Sequence, residues 1–334
     1  MLNSSSSRRK PRVLLLGSGI LGWRLLRALI DCPVCSLVGA IPWSSGPGQR
    51  SADRYEKMLV DEVAYNNLQL PGGYGANDER FAKLLTQLGV TCVLIGAWGE
   101  ILRARVLRHP GVWFVNCHPS RLPEHRGPNP YSSAIRYGAT ETAVSFHMVD
   151  EHIDTGALLA QYSLSIKPDE TGGELRERAA ELAAQTVGQV LSELIRNGDC
   201  AAIAQTTLGA SSYFPAISPA QAHIPWHLSA PQIHNHVRGM QPWLKPYTTA
   251  RNTLLGCNIL VTRTVVRPRT QPLPQTPGSV INIEEDVIWV SCGTSSHELG
   301  LVEARLRLAG VTFGTSLSRS VAVRLLTPGV RFVS

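Results

Sequence analysis

The chain has 334 residues, 36.3 kDa, 43% hydrophobic and 17% charged residues, and a mean hydropathy near zero. That composition excludes general disorder, collagen and coiled coil, and the length suits one large domain or two of ordinary size. The net charge of +7 is uneven: residues 1–206 carry 21 Lys and Arg against 20 Asp and Glu, whereas residues 207–334 carry 11 against 5. The C-terminal third is therefore the part suited to meet a polyanion, with plain solubility charge as the competing explanation.

Residues 1–11 (MLNSSSSRRKP) are polar and basic and read as a flexible tail rather than a signal peptide. Residues 12–17 (RVLLLG) form a strand candidate that ends in glycine, and 20–30 has a helical pattern. A second strand candidate is 36–41, followed by a polar, glycine-bearing stretch. Helices are expected at 54–65 and 81–88. Residues 91–96 (TCVLIG) and 112–117 (VWFVNC) are apolar runs of strand length, as in strands buried on both faces of a parallel sheet. Further strands are expected at 142–149 and 157–166, then a long helix at 171–196 that Asn197-Gly198 ends. Strands alternating with helices argue a doubly wound α/β domain over 12–198. Residues 199–220, rich in Ala, Ser, Thr and Pro, read as a linker. Over 221–334 one helix (230–239) precedes short strands at 261–266, 279–283, 287–292 and 321–326, which suggests a small β-barrel or sandwich. No apolar run reaches about 18 residues, so no membrane-spanning helix is expected. Seven scattered cysteines make no disulfide framework, and a cytoplasmic location is expected.

Three motifs carry weak signals. Gly17-Ser18-Gly19-Ile20-Leu21-Gly22 fits G-x-G-x-x-G, but the acidic residue that a nicotinamide fingerprint wants about 20 residues on is missing from the following strand. The glycines equally suit any first strand-to-helix turn. Cys32-Pro33-Val34-Cys35 is a lone CxxC behind a helix, where no dipole stabilises a thiolate. His223, His227, His234 and His236 lack metal-ligand spacing, and no metal is expected.

The strong signal spans residues 113–156. Asn116 and His118 stand two apart at the end of a buried strand, so both side chains face the same side. Asp154 follows in a loop, before Thr155-Gly156. An amide donor, an imidazole and a carboxylate can jointly serve acyl transfer to an amine, in which the amine itself is the nucleophile.

The pattern Asn116-x-His118-Pro119-Ser120-x-Leu122-Pro123, then Arg126-Gly127, then Asp150-x-x-x-Asp154-Thr155-Gly156, resembles the signature of the 10-formyltetrahydrofolate-dependent formyltransferases. Within that family it is most similar to the methionyl-tRNA formyltransferases and their two-domain relatives. The segments Ile224-Pro225-Trp226 and Arg238-x-x-x-Pro242-Trp243 resemble the approach to that group's second domain. The resemblance implies a Rossmann-like domain with a mostly parallel sheet and a small open β-barrel of the oligonucleotide-binding (OB) type. It implies that Asn116, His118 and Asp154 are catalytic. It also implies that the folate lies along Ala97, Trp98, Gly99, Glu100, Ile101 and Leu102, with the 150–154 loop (Asp150, His152 and Ile153) beside it. Trp98 and Leu102 are candidates equally for the ring's apolar wall and for the core. Ser120, Arg126 and Asn129 are candidates near the acceptor. The implied donor is 10-formyltetrahydrofolate, and the implied acceptor is initiator methionyl-tRNA, met through the basic C-terminal domain. A small amine, such as an aminosugar nucleotide or a natural-product precursor, is the alternative. Residues 42–54 hold only Arg50 and Arg54 as bases where the family carries a basic insertion, and Arg121 stands where leucine is usual. Oligomeric state is open between monomer and dimer.

Overall fold

A computed structural model describes residues 10–43, 54–70, 75–250, 257–269, 276–293, 296–308, 311–313 and 330–333. The strand expected at 321–326 and most of the 42–54 stretch lie outside them. By internal contacts the chain divides into two units. The first comprises Met1–Pro130, Glu141–Ser165 and Arg176–Phe214; the second comprises Tyr131–Thr140, Ile166–Leu175 and Pro215–Ser334.

The first unit is built on a six-stranded sheet. Its strands are β1 (Arg12–Gly17), β2 (Ser36–Pro42), β3 (Cys92–Gly96), β4 (Trp113–His118), β5 (Glu141–Met148) and β6 (Leu158–Ser165), in the order β2-β1-β3-β4-β5-β6. The β2-β1, β1-β3 and β3-β4 pairs are parallel; β4-β5 and β5-β6 are antiparallel. The expected mostly parallel, Rossmann-like sheet is present. β1 and β3 are almost wholly buried, which accounts for their unbroken apolar runs. α1 (Gly19–Ile30) buries Ile20, Leu21, Leu25, Leu26 and Leu29, the one-sided stripe of an amphipathic helix. α2 (Arg54–Tyr65), α3 (Glu79–Gln87) and most of the long α6 (Gly172–Asn197) complete the helical layers. Phe81 and Leu85 of α3 pack with Leu14, Leu16, Val93 and Ile95 in one apolar cluster. Asp78 caps α3 by accepting from the Arg80 N–H. Gly198 takes φ +63 behind α6, the left-handed stop that its sequence announced.

Two short helices were not read from the sequence, α4 (Ala104–Leu107) and α5 (Pro130–Arg136); each is too brief to show a full apolar period. Residues 199–214, read as linker, carry 3-10 turns and bridge back within the first unit, Ile203 to Leu158 and Tyr213 to Arg126.

In the second unit α7 (Ala230–Gly239) opens with a capping box between Ser229 and Gln232. The antiparallel sheet consists of β7 (Tyr247–Ala250), β8 (Cys257–Pro268), β9 (Val280–Glu284), β10 (Val287–Val290), β11 (His297–Leu308), β12 (Val311–Phe313) and β13 (Phe332–Val333). Its path is β13-β7-β8-β11-β10-β9, with β12 on β11. A bridge between Ser279 and Arg331 brings the two ends of the path together, so the sheet curls into an open half-barrel. Trp226 stacks on Phe332 at 5.6 Å in its core. β11 was not read from the sequence; its apolar positions pass from Leu299 and Leu301 to Ala304 and Leu306 because the pairing with β8 is irregular between Leu301 and Ala304, which breaks the period of two.

The G-x-G-x-x-G stretch serves packing. A Cβ on Gly17 would stand 2.9 Å from the Gly22 Cα, and the Ser18 N–H is spent on the Gly96 carbonyl at 3.0 Å. The glycines thus let α1 seat against β1 and β3. Gly22→Ala is expected to lower stability by about 1–3 kcal/mol through overpacking, read as a lower midpoint in urea with unchanged slope. A glycine serving only a phosphate would leave the midpoint unmoved.

Candidate active site

β4 alternates its side chains, and Asn116 and His118 emerge on one face of the sheet. β5 runs back beside β4, so that Asn116 pairs with His147 and His118 with Ser145. The turn between β5 and β6 then brings Asp154 onto that same face. Three features mark the turn. Asp154 itself adopts φ +54, and a Cβ on Gly156 would collide with the Met148 carbonyl. Gln205 donates through Nε2 to the carbonyls of Asp154 (3.0 Å) and Gly156 (2.8 Å), pinning the turn from the segment read as linker.

The three expected catalytic groups do converge. His118 Nδ1 lies 3.5 Å from Asp154 Oδ1, and Asn116 Nδ2 donates to the same oxygen at 3.2 Å. Asp154 Oδ2 accepts the Gly127 N–H at 2.9 Å. His118 Nε2 donates to the His125 carbonyl at 3.2 Å. Burial pushes the His118 imidazole down from its ordinary value, opposed by the Asp154 charge. Burial would raise the Asp154 carboxyl, but His118, the neighbouring His147 and the Gly127 N–H outweigh it and hold it at about 2. The resting pair is a neutral imidazole beside a carboxylate. Both ring nitrogens face oxygen acceptors, so the ring is poised to take a proton when negative charge appears nearby.

The predicted folate wall is mixed in its surroundings. Ala97 takes φ +62 at the end of β3. Leu102 is buried with Phe81 and Val106 in the core cluster, the packing alternative that its sequence left open. Trp98 packs on that cluster and meets Trp43 edge-on at 4.9 Å; its Nε1 is buried without a partner among the described residues, a spare donor at this wall. Gly99 lies close under the Trp43 ring. The Glu100 carboxylate is taken by the Ala76 N–H (2.8 Å) and Asn77 Nδ2 (2.7 Å), so it organises the loop rather than facing a ligand. Ile101 is 60% exposed and Ile153 39%, apolar side chains left open to solvent. Asp150 accepts from the His152 N–H and the Thr155 hydroxyl and shapes its turn; the His152 side chain is exposed.

On the other side, Ser120 donates to the Glu124 carbonyl at 2.8 Å and organises the 120–124 turn. Arg126 reaches the Ser211 hydroxyl at 2.9 Å, and its backbone is paired with Ser212 and Phe214. Asn129 is half-buried just before α5. Arg121 is engaged with Glu141 at 2.8 Å. His147 and Gln205 were not singled out in the sequence. Finding them required the β4-β5 register and the fold of residues 199–214, neither of which is locally encoded.

The other sequence candidates separate from this site. Burial, then Cys32 beside it, pushes the Cys35 thiol up to about 12, the reverse of an activated nucleophile. Burial and the Arg136 charge push His236 down to about 4. Among the described residues no cluster of three or more His, Cys, Asp or Glu is arranged to hold a metal, and no helix is long and apolar enough to cross a membrane.

Comparison with known proteins gives a consistent result. The formyl transferase family model matches residues 44–191, and its C-terminal domain model matches residues 216–310. The methionyl-tRNA formyltransferase of Desulforamulus reducens is 30% identical over 298 residues, 89% of this chain and 90% of the relative. That of Heliobacterium modesticaldum is 31% identical over 264 residues, 76% of this chain and 79% of the relative. Among solved structures, an N-formyltransferase from Helicobacter canadensis, in complex with folinic acid and dTDP-3-aminofucose, superposes with a TM-score of 0.62 at 15% identity. It covers 87% of this chain and 98% of its own.

The electrostatics predict an acid sensitivity of defined sign. Asp154 has a folded value near 2 against an ordinary 3.8, so it contributes roughly 2 kcal/mol that is present above pH 4 and lost as pH falls toward 2. His118 is lowered on folding, so its contribution is present above about 6.5 and is lost as the buried ring is forced to charge below that. Asp154→Asn is expected to flatten the stability profile between about pH 4 and 2, measured by urea unfolding across pH.

Proposed function

The chain belongs to the formyl transferase family and is a tetrahydrofolate-dependent N-formyltransferase; on that premise we propose that Asn116, His118 and Asp154 move the formyl group of 10-formyltetrahydrofolate to the amine of initiator methionyl-tRNA. The observation that carries this reading is the meeting of amide, imidazole and carboxylate within 3.5 Å on one face of β4.

The acceptor nitrogen attacks the formyl carbon with its lone pair, and the carbonyl electrons move onto oxygen. Asn116 donates an N–H to that oxyanion, and His118 supplies positive charge as it takes up a proton. That proton is the one the new N–C bond makes acidic; Asp154, staying a carboxylate, helps draw it to the ring and steadies the imidazolium. Collapse of the oxyanion breaks the bond to the folate N10, which leaves with a proton returned through His118. No metal and no enzyme nucleophile is needed, because the acceptor amine does the attacking. The loop from Ala97 to Leu102, with Trp98, Gly99, Glu100 and Ile101 between, would hold the pterin, with Ile153 across from it and Asp150 and His152 framing the turn. Trp98 Nε1 and the exposed faces of Ile101 and Ile153 support that role. Ser120, Arg126 and Asn129 would border the acceptor.

The acceptor assignment rests on the curated relatives, which are methionyl-tRNA formyltransferases over most of their length. The basic balance of residues 207–334 supports contact with a tRNA backbone. One observation favours a small amine instead. The 42–54 stretch has two bases only, and Arg54 is engaged with the Tyr55 hydroxyl (2.6 Å) and Glu177 (3.6 Å).

In a formyl-transfer assay His118→Ala is expected to lose about 10²–10⁴-fold in kcat with folding retained, and Asn116→Ala about 10²–10³-fold. Wild-type rates in both would remove the site. Charged initiator tRNA run beside a panel of amines decides the acceptor. With tRNA the KM is expected to rise at least tenfold between roughly 50 and 200 mM salt; a KM indifferent to salt points to a small neutral amine.

A further inference from the structure

We infer that His147 is a positioning residue for the transfer reaction, one that sets the direction in which Asn116 donates. This rests on the catalytic reading of Asn116 above and adds a fourth member to it. The imidazole of His147 is buried on β5, directly across the strand pair from Asn116. Its Nδ1 lies 2.7 Å from the Met148 carbonyl. A carbonyl only accepts, so Nδ1 carries the proton, and in the neutral ring Nε2 is left as an acceptor. That Nε2 stands 3.1 Å from Asn116 Nδ2. An amide NH₂ only donates, so the two groups match.

The consequence concerns which way the amide faces. Asn116 Nδ2 meets two acceptors, His147 Nε2 at 3.1 Å and Asp154 Oδ1 at 3.2 Å. Turned over, the amide oxygen would confront two acceptors and lose both bonds. His147 therefore holds one amide hydrogen permanently. The other rests on Asp154 and is the one free to pass to the formyl oxygen as charge develops there. The tautomer is fixed by main chain, not by solvent, because the Met148 carbonyl belongs to the same strand. His147 Nε2 is also 3.7 Å from Asp154 Oδ1. The charged or titratable groups that face His147 include His118 from β4 and Asp154 from the turn. Without the acceptor at position 147 the Asn116 amide can rotate, and the oxyanion loses a pre-aimed donor.

The test uses the full-length enzyme with formyl transfer as readout and thermal unfolding as the check on folding. His147→Leu is expected to lower kcat roughly tenfold or more while the KM for 10-formyltetrahydrofolate stays within about twofold, since pterin contacts are untouched. His147→Gln, which keeps an acceptor, is expected to recover most of the loss. In an Asn116→Ala background His147→Leu should cost nothing further in kcat, because the residue acts only through the amide. A packing role would instead add its full cost in that background. Wild-type kcat in His147→Leu, or an undiminished additional loss on top of Asn116→Ala, overturns the inference. Should His147→Leu not fold, His147→Gln measured alone and in the Asn116→Ala background supplies the same cycle. Any loss that His147→Gln causes alone must then vanish in the double variant, and an equal loss in both backgrounds overturns the inference. If Asn116→Ala itself runs at the wild-type rate, the catalytic reading fails instead, and the two failures are told apart by that one control.

Discussion

One carboxylate organises the molecule's chemistry. Asp154 is set in a left-handed turn, nearly buried, and its two oxygens are divided among an amide, a main-chain N–H and an imidazole. A buried charge is costly unless it is bonded on every side. The surrounding loops therefore have to be where they are. Gly127 supplies its N–H from the segment behind the 120–124 turn, Gln205 ties the Asp154 and Gly156 carbonyls, and β5 returns beside β4 to deliver the turn. Losing the Gly127 N–H leaves the charge underpaired in a low-dielectric site, and losing Gln205 frees the turn that carries it.

The switch from parallel to antiparallel pairing at β4-β5 has a direct consequence for function. The antiparallel pair leaves the β5-β6 turn over the face that Asn116 and His118 share. It also sets His147 opposite Asn116, so that the donor geometry belongs to a strand pair rather than to a flexible loop. Rigid strands hold catalytic groups more closely than loops do.

On the proposed reading, the donor and acceptor sides differ in how they are built. The donor side pairs a tightly bonded loop, with Glu100 locked to Ala76 and Asn77, with exposed apolar side chains at Ile101 and Ile153. That combination suits a flat ring held by main-chain groups. On the acceptor side, residues 121–129 are stitched to residues 211–214 by main-chain bonds and by stacking of His125 on Phe214 at 5.2 Å.

Much was legible in the residues alone. Apolar runs of strand length located β1, β3 and β4, because burial on both faces leaves a local imprint. The one-sided stripe located α1, and Asn197-Gly198 marked the end of α6. Asn116, His118 and Asp154 were legible as groups that could jointly serve acyl transfer, and it was the resemblance of their surroundings to the formyltransferase signature that singled them out. The local sequence could not announce partners set by pairing between distant segments. His147 looks like any strand histidine until the β4-β5 register puts it against Asn116. Gln205 looks like linker until its segment folds back on the Asp154 turn, and the roles of Leu102 and Glu100 were divided only by packing. The signature residues and their surroundings thus pointed to the family and its reaction. Tertiary structure alone decided which neighbours aim and charge the reacting groups, because hydrogen bonds between strands and loops far apart in sequence obey register and close contact rather than local periodicity.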